Sequence, residues 1–296
     1  MSAVPFRPQS DGRSRSTRSH LGARYGVATS IILVAPLVML LGVVFVFPVG
    51  KLLWAGFAVP RPTFEHYARL FHESLYLRIL LRTLLIAGIV TLVTLMLGFP
   101  VAQALSRSRG GRAVFITVCV LLPLWTSVLI RSYAWIVLLQ RNGLINNVLL
   151  GLGITSAPLR LLYTEGAVIA ATSHILLPYM ILPIYSALRS IQPDLGRAAR
   201  NLGAGATQTF LHVTLPLSLP GIFAGCLMVF ILALGFYVTP ALVGGPSTLM
   251  ISTLISQQVL ELLDWPFAGA LSGALLLVTL ALVVAFRRVL SFGHEA

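Results

Sequence analysis

The sequence predicts an all-α protein that crosses a lipid bilayer six times, and three observations carry this prediction. Apolar residues make up 57% of the 296 residues, whereas charged residues make up only 10%. The mean hydropathy is +0.92, a value typical of membrane proteins rather than of water-soluble domains. Long runs without charge also recur, and about 20 helical apolar residues cover a hydrocarbon core of about 30 Å.

Each predicted span follows from one such run. The first run is charge-free from Tyr25 to Gly50, which is too long for the apolar part of a cleavable secretion signal. The second and sixth runs carry no charge, and the third carries Arg131 toward its far end, where a long side chain reaches water. Prolines in the fourth run favour a kink, and a proline ends the fifth. The spans are predicted near residues 27–50, 83–105, 113–139, 164–188, 217–239 and 266–286.

The remaining segments are predicted to lie outside the bilayer. Residues 1–24 are rich in Ser and Arg without apolar periodicity, which predicts a disordered basic tail in front of one membrane domain, residues 25–296. The tail suits a contact with anionic lipid, and nucleic-acid binding is the alternative. Residues 247–263 are interpreted as an external helix, the alternative being a seventh, half-buried helix. Cys119 and Cys226 fall inside apolar runs and are interpreted as small apolar residues.

The distribution of basic residues predicts that both termini are cytoplasmic. With the N-terminus inside, the tail, the turn 106–112, the segment 189–216 and the C-terminus hold 13 basic and 3 acidic residues. The opposite side holds 8 basic and 5 acidic residues. An excess of Arg and Lys marks the cytoplasmic side.

The segment 189–216 has the pattern of two short helices joined by a hinge. Asp194 is predicted to cap the first helix and Gly203 to end it, because glycine tolerates the left-handed backbone common after helix ends. Thr207 is predicted to cap the second helix and Pro216 to end it. An amphipathic connector lying on the membrane is the alternative interpretation. The first helix carries small and apolar residues on one face, at Leu195, Ala198, Ala199 and Leu202.

This segment resembles the EAA loop of ABC importer permeases. The family pattern is Glu-Ala-Ala, three residues, Gly, nine residues, Ile, one residue, Leu-Pro. Here Arg197 replaces the family's glutamate, which reverses the charge, and Val213 replaces isoleucine, while every interval is kept. Asp194 is the only carboxylate in the loop. The matching positions are Arg197, Ala198, Ala199, Gly203, Val213, Leu215 and Pro216.

The resemblance implies the fold of a type I ABC importer permease in the inner membrane of a bacterium. It implies a coupling loop that docks into a cytosolic ATPase dimer, a second homologous permease and a secreted substrate-binding protein. The chain has no G-x-x-x-x-G-K-[ST] phosphate-binding motif, since Gly50-Lys51 lacks the other required residues. ATP and Mg²⁺ are therefore expected on the partner ATPase, with no cofactor, metal or catalytic residue on this chain.

Further segments resemble the spermidine/putrescine branch of these permeases, and this resemblance implies a polyamine as the substrate. Importers of other small organic solutes have similar segments, so another small organic solute stays open as the alternative substrate. The matching segments are LLPLWTSVLIRSYAWIVLL (121–139), NGLINNVLLGLG (142–153), LLYTEGAVI (161–169), LPLSLPGIFAGCL (215–227), FYVTPALVGGP (236–246) and DWPFAGAL (264–271).

Carboxylates at the external span ends and aromatic residues near the spans are predicted to form the substrate path. Charge pairing and cation–π contacts both offset the desolvation of an organic cation. For Glu165 and Asp264, placement at a helix N-terminus is the alternative explanation. The other candidates are Glu261, Trp125, Tyr133, Tyr237 and Trp265, whereas His174 is assigned no role.

Two other classes of protein compete with an importer permease. An ion-coupled secondary transporter would require a coupling-ion site or an internal repeat, and it would leave the hinged loop without a role. A membrane enzyme would require a nucleophile with a base, or a metal site, at helical spacing, which the sequence lacks. The sequence therefore predicts a permease subunit that is not an enzyme.

Overall fold

The computed structural model describes residues 27–58 and 64–292, and these residues form helices without any β-strand. The predicted basic tail, residues 1–24, lies outside them. The chain divides into two units, Met1–Gly50 and Lys51–Ala296. The first unit contains α1 (Val27–Leu41), one π turn (Gly42–Val46) and the start of α2 (Phe47–Ala58), and the rest of α2 belongs to the second unit. The apolar side chains from Ile32 to Val49 are exposed, as suits a helix surrounded by lipid.

The second unit contains the other helices. They are α3 (Glu65–His72), α4 (Ser74–Arg107), α5 (Gly110–Trp125), α6 (Val128–Leu139), α7 (Leu144–Gly151), α8 (Glu165–Ser190), α9 (Pro193–Asn201), α10 (Ala206–Thr209), α11 (Leu215–Leu234), α12 (Val238–Val243), α13 (Ile251–Leu260) and α14 (Trp265–Phe292). A π turn joins α10 to α11, and a 3-10 turn precedes α13.

The number of predicted spans is confirmed if one bent pair of helices counts as a single span. Five helical stretches in the described part are long and apolar enough to cross a membrane. The sixth is the stretch Gly110–Trp125 followed by Val128–Gly151, which bends by 101° between the two parts. The third span, predicted near 113–139, is therefore a bent pair of helices rather than one straight helix.

Hydroxyl groups explain the break in the third span. The Thr126 hydroxyl donates to the carbonyl of Pro123 at 2.9 Å, so it satisfies a carbonyl at the end of α5. The Ser127 hydroxyl accepts from the amide of Leu129 at 3.3 Å and caps α6. Side-chain hydrogen bonds of this kind compete with helical ones, which lets the helix turn sharply here.

Several boundaries also differ from the predicted ones. The second span begins at Ser74 rather than near residue 83, so two turns of basic helix precede its apolar run. The fifth helix ends at Leu234, and α12 follows after a break of three residues. Pro178 and Pro183 both lie within the uninterrupted α8. A helix, α13, forms within 247–263, and its external position stays a prediction.

The centre of the second unit is the packing of α4, α8 and α11 on one another. Their contact surface is apolar and fully buried at Ile86, Val90, Met180, Ile184 and Val229. Two glycines on α11 allow close approach: a Cβ atom at Gly225 would lie 2.8 Å from the sulfur of Met180. Small residues at such crossings are typical of membrane helices, because lipid offers no hydrophobic drive for their association.

Candidate functional site: the coupling loop and the substrate path

The first helix of the predicted coupling loop is α9. Gln192 holds the N-cap position and Pro193 the first helical position, where its missing N–H group has no helical partner in any case. The prediction that Asp194 caps α9 was wrong, since Asp194 lies inside the first turn. Its carboxylate accepts a hydrogen bond from Arg197 at 3.0 Å. Both side chains are largely exposed.

Two leucines of the predicted apolar face are exposed, Leu195 on α9 and Leu202 directly after it. Leu202 is 89% exposed and Leu195 is 44% exposed. The loop therefore presents leucine side chains outside the core, beside the Asp194–Arg197 ion pair. Such exposed apolar groups on a short polar helix indicate a contact that the isolated chain lacks.

Gly203 forms the hinge that the sequence predicts. Its φ angle is +87°, in the left-handed region. Its amide donates to the carbonyl of Arg200 at 2.9 Å, and the amide of Ala204 donates to that of Ala199 at 3.0 Å. This pair of hydrogen bonds is the Schellman motif, which ends a helix by satisfying its last carbonyls.

The second half of the loop differs from its prediction. Gly205, not Thr207, precedes α10 at the N-cap position, and its amide donates to the side chain of Gln208 at 3.0 Å. Pro216 does not end this helix, because the chain runs helically from Ala206 to Leu234.

A π turn over Phe210–Thr214 makes room for this proline. A proline ring in a regular helix clashes with the carbonyl four residues earlier, and the wider π turn displaces that carbonyl. Phe210 also packs edge-to-face on Phe99 of α4, with ring centroids 5.8 Å apart. The loop is therefore held against the bundle and is continuous with α11.

Two of the predicted substrate-path carboxylates are paired with arginines. Glu165 lies 3.1 Å from the guanidinium of Arg82, which also donates to the carbonyl of Ser247. Asp264 caps α14 by accepting from the amide of Phe267 at 3.1 Å, and it lies 3.6 Å from Arg69. Asp264 therefore both caps a helix and takes part in an ion pair. The substrate role of these residues stays a prediction.

Arg69 is the centre of the group of side chains around Asp264. It pairs with Glu73 at 3.1 Å and stacks over the ring of Phe267, 4.4 Å from its centroid. Although partial burial acts to lower the pKa of the Arg69 guanidinium, the hydrogen bond that Arg69 donates to Glu73 and the nearby charges raise this pKa overall. Arg69 therefore stays a permanent cation that joins α3 to the start of α14.

The predicted path residues do not all come together. Tyr237 and Glu261 line one cavity, whereas Trp125 at the break, Tyr133 on α6 and Trp265 on α14 are exposed and do not line it. The cavity is also lined by Thr253, Ser256 and Gln257, which were not predicted as path residues. The signal available in the sequence was that these polar residues precede Glu261 at intervals of about one helical turn.

Arg131 also departs from its prediction. Two of its guanidinium nitrogens, Nε and Nη1, are buried and have no hydrogen-bond partner in the described part of the chain. The side chain therefore does not place all of its charge in water. His174, which was assigned no role, accepts a hydrogen bond from the indole of Trp135 at 3.4 Å.

Comparisons with known proteins agree with the helical bundle. Residues 25–291 match the family described as the binding-protein-dependent transport system inner membrane component. The chain is 40% identical to the spermidine/putrescine transport system permease protein PotB of Haemophilus influenzae, over 76% of this chain and 79% of that protein. It is 34% identical to the inner membrane ABC transporter permease protein YdcU of Escherichia coli, over 88% and 89% of the two chains.

Solved structures share the fold. A bacterial ABC transporter involved in the import of the acidic polysaccharide alginate matches with a TM-score of 0.69 and 20% identity, over 88% of this chain and 94% of that one. The bacterial alginate ABC transporter in complex with an alginate pentasaccharide-bound periplasmic protein also matches with a TM-score of 0.69, at 22% identity, over 87% and 92%. The family match spans nearly the whole chain, and the resemblance to ABC importer permeases is confirmed. This chain belongs to the family of inner-membrane components of binding-protein-dependent transport systems, and it is a transporter permease subunit rather than an enzyme.

Proposed function

We propose that this permease carries a linear polyamine, putrescine or spermidine, into the cytoplasm. It forms half of a translocator with a second, similar permease, and two cytosolic ATPase subunits hold ATP and Mg²⁺. A binding protein delivers the polyamine from outside. The 40% identity to PotB supports the substrate class. The solved complex of a related fold with a periplasmic protein supports the delivery step.

The observation that carries the transport mechanism is the exposed end of the coupling loop. Leu195 and Leu202 lie outside the core on a short helix, followed by the left-handed Gly203. A protein groove on the ATPase would cover these leucines, and the fixed hinge would hold the helix at one angle to α11. The Asp194–Arg197 pair neutralises charge within the loop. Docking therefore depends on shape and apolar contact rather than on the glutamate of the family pattern.

The substrate assignment is tested by uptake of radiolabelled putrescine and spermidine. Cells lacking their own polyamine transporters would express the whole assembly, with an assembly whose ATPase phosphate-binding lysine is replaced as the control. We expect uptake only with the intact ATPase. If neither amine enters while the binding protein captures a neutral or anionic solute, the polyamine assignment is wrong and the importer assignment stands. Uptake that persists with the disabled ATPase supports an ion-coupled transporter instead.

The proposed orientation places Ser108 and Ala206 inside and Ser74 and Ser247 outside. Single cysteines at these positions, in a chain without Cys119 and Cys226, would be treated with a membrane-impermeant thiol reagent on intact cells. We expect labelling at positions 74 and 247 and none at 108 and 206 until the cells are opened. Labelling of position 206 from outside contradicts the orientation, because the coupling loop would then face away from ATP.

A further inference from the structure

We propose that the cavity lined by Tyr237 and Glu261 is a binding station for an ammonium group of the substrate, with Glu261 as its counter-charge. The cavity lies between the chain that follows α11 and the helix α13, and it measures about 470 Å³. Ligand sites typically have about 300–1,000 Å³. In the proposed orientation the cavity is at the external end of the bundle. This inference rests on the proposed function and identifies where this chain would hold the polyamine.

Glu261 differs from the neighbouring carboxylates in its pairing. Glu73, Glu165 and Asp264 each lie within 4 Å of an arginine nitrogen. Glu261 takes part in no ion pair with the described residues, although it is close in sequence to Asp264. A carboxylate beside a cavity and without an internal cation is free to accept one from a ligand.

The other polar groups of the cavity also suit an ammonium. Glu261 directly follows α13, and its amide donates to the carbonyl of Gln257 at 2.9 Å, so the two residues lie one helical turn apart on the same side of the helix. Ser256 and Thr253 add hydroxyl oxygens to the lining. Tyr237 is 40% exposed, and its ring can make a cation–π contact. Among the residues that the structure describes, no arginine or lysine lines the cavity, so the set of groups favours a cation over an anion.

Apolar groups complete the lining. Pro246, Leu249 and Leu260 border the same space. A linear polyamine alternates ammonium groups with short methylene chains, so it needs a charged or polar partner next to apolar surface. The arrangement matches one ammonium and its adjacent methylenes rather than a compact inorganic cation, which prefers several oxygen ligands.

Both walls of the cavity are held in place by packing and hydrogen bonds. On the wall opposite α13, a Cβ atom at Gly244 would lie 2.5 Å from the carbonyl oxygen of Pro240 and 2.6 Å from the hydroxyl of Thr248, so this turn leaves no room for a side chain at that position. The amide of Ile251 donates to the hydroxyl of Thr83 on α4 at 2.9 Å. The hydroxyl of Ser252 donates to the carbonyl of Phe236 at 2.8 Å. The cavity is therefore held open by the bundle before any ligand arrives.

The first experiment removes the charge of Glu261 without changing its shape. In the whole assembly, we expect Glu261→Gln to slow polyamine uptake by about tenfold to hundredfold, the usual range for loss of one charge-assisted hydrogen bond. Glu73→Gln is the matched control, because it removes a carboxylate on the same proposed side but does not line the cavity. Normal uptake by Glu261→Gln overturns the station. Absence of polyamine uptake by the unaltered assembly instead overturns the proposed function.

A second experiment detects occupancy directly and does not depend on turnover. In a chain without Cys119 and Cys226, Ser256→Cys places a thiol in the cavity wall while keeping Glu261. We expect excess spermidine, presented with the binding protein, to slow modification of that thiol, and Glu261→Gln in the same chain to abolish the protection. Equal modification rates with and without spermidine overturn the station, even if Glu261→Gln has impaired assembly.

Discussion

Replacing Gly203 by valine is expected to abolish coupled transport while leaving the protein in the membrane. The φ angle of +87° is strongly disfavoured for a β-branched residue, and such strain costs about 1–3 kcal/mol. The helix end would relax by giving up the Schellman hydrogen bonds to Ala199 and Arg200. The leucines of α9 would then change direction relative to α11. We expect at least about a tenfold loss of uptake, because a misdirected coupling helix cannot transmit the ATPase motion.

The matched control for this prediction is Gly203→Asn. Asparagine adopts the left-handed conformation far more readily than valine, and a Cβ atom at position 203 would meet no atom within 4 Å. Backbone conformation is therefore the property that separates the two variants. Both would be purified with their partners, and ATPase activity would be measured with loaded binding protein. If loaded binding protein fully stimulates the ATPase activity of the Gly203→Val assembly, the hinge has no role in coupling.

Adding a single methyl group at Gly221 is expected to destabilise the helical bundle. A Cβ atom there would collide with the side chain of Ala187 and lie 2.7 Å from the carbonyl of Pro183, both on α8. Neither atom can move without shifting the backbone of the central α8–α11 pair. Overpacking of this kind costs about 1–3 kcal/mol, occasionally more. We expect Gly221→Ala to lower the melting temperature of the purified assembly and its yield from membranes.

Gly88→Ala provides the comparison for the same chemical change. Gly88 lies inside α4, and a Cβ atom there would meet nothing within 4 Å. Alanine favours the helix over glycine by about 1 kcal/mol, so this variant is expected to be neutral or slightly more stable. A melting temperature for Gly221→Ala equal to that of Gly88→Ala would contradict the packing at the α8–α11 crossing.

The spans could be predicted because hydropathy is a property of composition within each run. The break in the third span depends on two hydroxyl residues, Thr126 and Ser127, whose effect is visible only once their hydrogen bonds are formed. In the same way, Pro216 signals a helix end unless a π turn precedes it. Local patterns identify an element more reliably than they identify its continuity with the next one.

The same distinction applies to the candidate sites: local features could be predicted from the sequence, whereas contacts between distant segments could not. The hinge at Gly203 is a local feature, and the spacing of the loop motif located it correctly. The partners of Glu165 and Asp264 come from α4 and α3, which are distant in sequence, so no pattern in the sequence indicates that arginines occupy them. The shared cavity of Tyr237 and Glu261 likewise depends on how the chain folds back after α11.

The second half of the coupling loop and the fifth span form one continuous helical stretch. Its two ends are therefore expected to move together, as the ends of a rigid rod do. From Ala206 to Leu234 it contains 29 residues, which corresponds to about 43 Å at the helical rise of 1.5 Å per residue. A tilt of about 10° about one end displaces the other by about 7 Å over that length. Tyr237 stands just beyond the far tip, at the wall of the Glu261 cavity. A small rotation imposed on α10 would therefore be enough to reshape the cavity, without any chain of intermediate side-chain rearrangements.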